Sequence, residues 1–112
     1  MVVNNSIDKT ALEKMRELLG AEFPAVISGF LADSENYIKE IAAALQSGDR
    51  ESITKIAHKM KSGAGQLGFL HMQKIATTLE HNKEMNETIL LAQHAELKEA
   101  YAEAVNFLKL IL

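Results

Sequence analysis

The chain contains no cysteine, no tryptophan and a single proline, Pro24. Without thiols it has no disulfide scaffold, no CxxC redox pair and no thiolate zinc site. Long apolar runs are also missing. The longest, such as Ile89-Leu90-Leu91-Ala92, fall far short of the ~20 residues that cross a bilayer. The opening Met1 to Ser6 segment lacks the basic start and apolar stretch of a signal peptide, so a soluble, cytoplasmic protein is expected. Basic runs are absent too: 12 Lys and Arg are interleaved with 15 Asp and Glu, for a net charge of −3. A nucleic-acid face needs an excess of cations on one side, so nucleic acid is not an expected partner. No linker, internal repeat or low-complexity stretch divides the sequence, and one domain is expected to fill residues 1–112.

No segment alternates apolar and polar residues long enough to form a strand, whereas helical spacing recurs almost everywhere. A short first helix is expected from about Asp8 to Leu19, with Leu12, Met15, Leu18 and Leu19 on one side. Thr10 and Glu13 have capping-box spacing, which would move its start a residue or two later. Gly20 stands where a left-handed cap is expected. Pro24 then suits the first turn of a long helix whose stripe runs through Val26, Ile27, Phe30, Leu31, Tyr37, Ile38, Ile41, Ala42 and Leu45. Ser47-Gly48-Asp49 breaks it, and Asp49 is a natural N-cap for a third helix burying Ile53, Ile56, Ala57, Met60 and Ala64. A fourth carries Met72, Ile75, Ala76 and Leu79. After a polar break from Asn82 to Asn86, a last helix carries Ile89, Leu90, Leu97, Ala100, Tyr101, Ala104 and Leu108. Four substantial amphipathic helices with short connections predict an all-α, antiparallel up-down-up-down four-helix bundle, with the short extra N-terminal helix as a lid.

One segment departs from the needs of a bundle. Ala57-His58-Lys59-Met60-Lys61-Ser62-Gly63-Ala64-Gly65-Gln66-Leu67-Gly68 places three glycines within six residues. Each glycine inside a helix costs about 1 kcal/mol relative to alanine. A turn explains Gly68, but Gly63 and Gly65 require another reason. On a helical wheel Ile53, Ile56, Ala57, Met60, Ala64 and Leu67 cluster inward, and His58 points roughly 140° away. Thr54, Lys61, Ser62 and Gly65 share its flank, with Lys61 and Ser62 as its i+3 and i+4 neighbours. An exposed imidazole titrates near neutrality and is a competent nucleophile at physiological pH. Lys61 would offset negative charge delivered to the ring, and small residues at 62, 63 and 65 would admit a partner's active site. This pattern suits phosphoryl transfer. If the third and fourth helices turn near Phe69, His58 and Glu80 are equally far from the turn and face one another. Glu80 would then accept Nδ1–H, fix the tautomer and leave Nε2 free to react.

The run Ala57-His58-x-Met60-Lys61 … Gly65-x-Leu67-Gly68, with Ile75 and Leu79-Glu80 downstream, resembles the histidine-containing phosphotransfer (HPt) domain. Leu18-Leu19-Gly20, Phe30-Leu31 and Gly48-Asp49 extend the likeness over nearly the whole chain. The resemblance implies a four-helix bundle that carries a phosphoryl group on His58, with Lys61 stabilising charge and Glu80 hydrogen-bonded to the ring. It implies no ATP site, metal or other cofactor of its own. The partners implied are receiver domains of response regulators and of hybrid sensor histidine kinases, whose aspartate and bound Mg²⁺ perform most of the catalysis. One departure is Ser62, where the family usually has glycine directly after the lysine; serine is small enough that docking is expected to survive. Docking residues are expected at Thr54, Lys55, Ser62, Gly65, Gln66 and Phe69, on a chain expected to be monomeric.

Competing readings fit less well. A phosphoacceptor helix pair from a sensor kinase would place an acidic residue after the histidine, where this chain has Lys59, and would be accompanied by an ATP-binding segment. A helical protein–protein adaptor with a non-functional histidine is the alternative, and it predicts that replacing His58 with alanine leaves partner signalling intact. An enzyme is not expected, since no nucleophile–base or carboxylate pair is apparent. His71, His81 and His94 read as plain surface residues, with no i, i+4 pair to suggest a metal site.

Overall fold

In a computed structural model that describes residues 6–112, helices account for nearly all of the chain. The residues 1–5 on which the signal-peptide reading mostly rests lie outside that range. Helix α1 spans Lys9–Leu19, followed by a short 3₁₀ turn, Gly20–Glu22. Then come α2 (Phe23–Ser47), α3 (Arg50–Leu67), α4 (Leu70–Glu80) and α5 (Glu87–Ile111). Among the described residues there is no strand.

Local chemistry sets the boundaries. Asp49 caps α3 by accepting from Ser52 N at 3.1 Å, and Asn86 caps α5 by accepting from Ile89 N at 2.9 Å. Helix α1 begins at Lys9 because Asp8 accepts from Ala11 N at 3.2 Å. The Thr10–Glu13 pair, one expected start, therefore lies inside the helix. An aspartate two residues upstream reaches the free N–H groups first.

The core joins all five helices through Leu12, Phe23, Ile27, Ile41, Ile53, Met60, Met72, Leu79, Leu97 and Leu108, all buried. Buried alanines at 57, 64, 76, 100 and 104 let the backbones approach. Helix α2 packs on α3 and α5, and α4 on α3 and α5, closing a ring of four. Phe30 lies beside Gly63, and Ala44 near Ile53, so α2 and α3 run in opposite directions. Gly65 beside Gln73 and Lys61 on Glu80 show the same for α3 and α4. His94 bonds Ile38 O at 3.0 Å and Tyr101 bonds Leu31 O at 3.2 Å, reversing α5 relative to α2. The bundle therefore alternates direction from α2 to α5. Val26, Leu18 and Ile89, expected on buried stripes, are 39%, 79% and 45% exposed. Each sits in a first or last turn, where the helix overhangs its neighbours.

The α3–α4 turn fixes the register of the functional flank. Gly68 adopts φ +84° and donates to Ala64 O and Gly65 O, while Phe69 N bonds Ala64 O at 2.9 Å. A Cβ at Gly68 would lie 2.5 Å from Asp8 O, because the N-terminal segment clasps this turn through Asp8 N to Gly68 O at 2.6 Å. Only glycine satisfies both the left-handed backbone and the close approach.

Candidate functional site

His58 lies mid-way along α3, between buried Ala57 and the buried Ile56–Met60 stripe, so its own side chain is forced outward. That side chain is 68% exposed. The antiparallel hairpin brings Glu80, the last residue of α4, against it. Glu80 is only 14% exposed and receives two hydrogen bonds: His58 Nδ1 at 2.5 Å on one carboxylate oxygen, and Lys61 Nζ at 2.6 Å on the other. The Lys61 hydrogen bond first, and the His58 one second, hold the Glu80 carboxyl below the ordinary glutamate range, against the opposing effect of burial.

The geometry has a chemical consequence. An ionised carboxylate only accepts, so the ring proton facing Glu80 sits on Nδ1 and the lone pair of the neutral ring lies on Nε2. Nε2 makes no hydrogen bond to any described residue. The arrangement presents an exposed nitrogen nucleophile on an imidazole of fixed orientation, with a cation one turn away.

The remaining sequence-predicted residues separate into groups. Ser62 and Gln66 are exposed on α3, and Lys55 is exposed and pairs with Glu51 at 3.3 Å. The Thr54 hydroxyl is committed internally: it donates to Arg50 O at 3.2 Å and accepts from Asn82 Nδ2 at 3.0 Å. Gly65 is half-buried beneath the Gln73 amide. Phe69 is not on the surface at all. It is 1% exposed and stacks on Phe30 with ring centroids 5.3 Å apart. The left-handed turn at Gly68 reverses the chain and directs the next side chain into the bundle, so Phe69 is a core residue and not a docking residue.

Four polar groups escaped the sequence reading. Asn82, read as part of a polar break, is 1% exposed and ties the end of α4 to the start of α3. His71 joins α4 to α5 through Glu96 at 3.0 Å and Glu103 at 3.2 Å, and His94 bonds across to α2, so neither is a plain surface residue. Gln73 lies over Gly65. Its position seven residues before Glu80, on the same helical face, was the available signal. No helix among the described residues is long and apolar enough to cross a membrane.

Comparison with known proteins agrees with this architecture. The crystal structure of histidine-containing phosphotransfer protein B from Pseudomonas aeruginosa PAO1 superposes with a TM-score of 0.87 at 23% identity. The match covers 96% of this chain and 94% of that one, and establishes a shared fold. No curated protein matches by sequence. The family model for the Hpt domain matches residues 25–107, most of the chain and all of the His58 flank. Members of that family are phosphorelay carriers that interact with receiver domains. The chain belongs to the Hpt domain family, and its function is histidine phosphotransfer in two-component signalling.

Proposed function

We propose that His58 is the phosphoacceptor, exchanging a phosphoryl group with the aspartate of receiver domains in response regulators and hybrid sensor kinases. The observation that supports this most strongly is the exposed ring whose Nδ1 is held on Glu80, leaving Nε2 outward. In the forward step the Nε2 lone pair attacks the phosphorus of an aspartyl phosphate. The bond from phosphorus to the aspartyl oxygen breaks, and the aspartate leaves as a carboxylate. The ring, still protonated on Nδ1, becomes cationic, and the Glu80 carboxylate offsets that charge. Lys61 has two further N–H donors beyond the one on Glu80, and these are available to phosphoryl oxygens. The Mg²⁺ belongs to the receiver, and this chain needs no cofactor of its own. The chain is a carrier and not an enzyme.

Incubation with a panel of phosphorylated receiver domains tests the proposal. Acid-labile, alkali-stable label is expected on the wild type and none on His58→Gln. Since His58 is largely exposed, the two proteins should melt within about 0.5 kcal/mol of each other. Label surviving in His58→Gln would transfer the role to another residue.

A further inference from the structure

Gly65 occupies the middle of the last turns of α3, where glycine weakens a helix, and no turn or positive φ accounts for it. Its neighbour does. A Cβ built on Gly65 would lie 2.4 Å from Gln73 Nε2, 3.1 Å from its Cδ and 3.7 Å from its Oε1. The amino end of the Gln73 amide therefore sits against the glycine. The missing side chain makes room for a residue of the same protein, where the sequence suggested room for a partner.

The seated group is polar, although packing alone would be served better by an apolar side chain. Gln73 as a residue is partly exposed, and its amide makes no hydrogen bond to any described residue. Its neighbour Thr77, by contrast, turns its hydroxyl back onto Gln73 O at 2.9 Å. Gly65 follows His58 by seven residues and Gln73 precedes Glu80 by seven, which in both helices is two turns on the same face. The Gly65–Gln73 pair thus lies on the same α3–α4 seam as His58 and Glu80, about 10 Å along it. A standard protein interface covers about 800 Å² per partner, so a domain seated over His58 also covers Gln73.

We infer that Gln73 is a docking residue for the receiver domain, its amide held by Gly65 at a fixed place to hydrogen-bond the partner's backbone or a polar side chain. The inference rests on the proposed relay through His58. Gln73 touches no reacting atom, so it governs how tightly the partner seats and not how fast the phosphoryl group moves once it has.

The test is transfer from a phosphorylated receiver, with rate followed against receiver concentration for wild type, Gln73→Met, Gln73→Ala, Gly65→Ala and the Gly65→Ala/Gln73→Ala double variant. Methionine keeps the length of the side chain and its packing on the glycine but cannot replace the amide's hydrogen bonds. Losing a neutral hydrogen bond should raise the half-saturating concentration about three- to tenfold in Gln73→Met and Gln73→Ala, with the plateau rate unchanged. Gly65→Ala should do the same by displacing the amide, and should add nothing in the Gln73→Ala background. An unchanged half-saturation in Gln73→Met overturns the inference. Additive effects in the double variant overturn the link to Gly65 and return that glycine to direct clearance for the partner. A wild type that no receiver labels overturns the relay reading, and this inference with it.

Discussion

Replacing Asn82 with alanine should cost about 2–3 kcal/mol of stability, and the magnitude follows from the end of α4. That helix closes without a left-handed cap, since His81 has φ −107° and ψ 48°. The final carbonyls of any helix lack intrahelical partners and need them from elsewhere. The Asn82 side chain serves that need, donating to Leu79 O at 2.7 Å and to Thr54 Oγ1 at 3.0 Å from a site only 1% exposed. Two good neutral hydrogen bonds contribute about 0.5–1.5 kcal/mol each, and stranding a buried carbonyl adds about 1 kcal/mol or more. For a domain of this size, 2–3 kcal/mol corresponds to a fall of about 10 °C in melting midpoint. Urea unfolding followed by far-UV circular dichroism measures it, with an unchanged m-value showing that the denatured state is not responsible. Asn86→Ala is the companion: it removes an exposed N-cap at the start of α5 and should cost about 1 kcal/mol. If Asn82→Ala costs no more than Asn86→Ala, the buried amide is not holding α4 and the reasoning fails.

Gly68→Ala should destabilise by about 2–4 kcal/mol, since it combines a left-handed backbone with a Cβ 2.5 Å from Asp8 O; a midpoint within experimental error of wild type would show that the turn can move aside. Lys61→Ala should remain phosphorylatable but transfer about 10- to 100-fold more slowly, and a wild-type rate in quenched-flow transfer would remove its electrostatic role. The Glu80 pKa is lowered by folding, so its ion pairing stabilises the protein in full above the ordinary glutamate value and is lost as the pH falls below that value through the lowered pKa. The stability difference between wild type and Glu80→Gln should therefore shrink on acidification below about pH 5, and a difference that persists unchanged to about pH 3 would refute the pairing.

The sequence was most legible where one physical rule dominated. The 3.6-residue stripes located every helix of the ring, and Asp49 and Gly68 marked the ends of α3 because capping chemistry admits few residues there. The juxtaposition of Glu80 with His58 followed from symmetry about a short turn. Legibility failed where a contact joins distant segments. Phe69 looked like an exposed turn residue, and only the direction of the reversal at Gly68, with Phe30 waiting on α2, buries it. Asn82 looked like a loop residue because nothing local announces that Arg50 and Thr54, some thirty positions earlier, supply its surroundings. Gly65 announced that space was needed but not for whom, since the occupant, Gln73, belongs to another helix.

The resting site also explains why Glu80 is more central to the proposed relay than its place at a helix end suggests. Lys61 does not stand free beside His58. It is engaged with one Glu80 oxygen while the ring holds the other. A single carboxylate thus orients both groups before a partner arrives, which lowers the conformational cost of assembling them during transfer. Its charge is balanced by the Lys61 ammonium in the resting state. In the proposed relay the same carboxylate would face the ring as it becomes cationic, and the ammonium, with three donors, would reach phosphoryl oxygens while keeping its bond to Glu80. One carboxylate already in contact with both groups would let the proposed triad redistribute charge without reassembly, as suits a carrier that must release its phosphoryl group as readily as it accepts it.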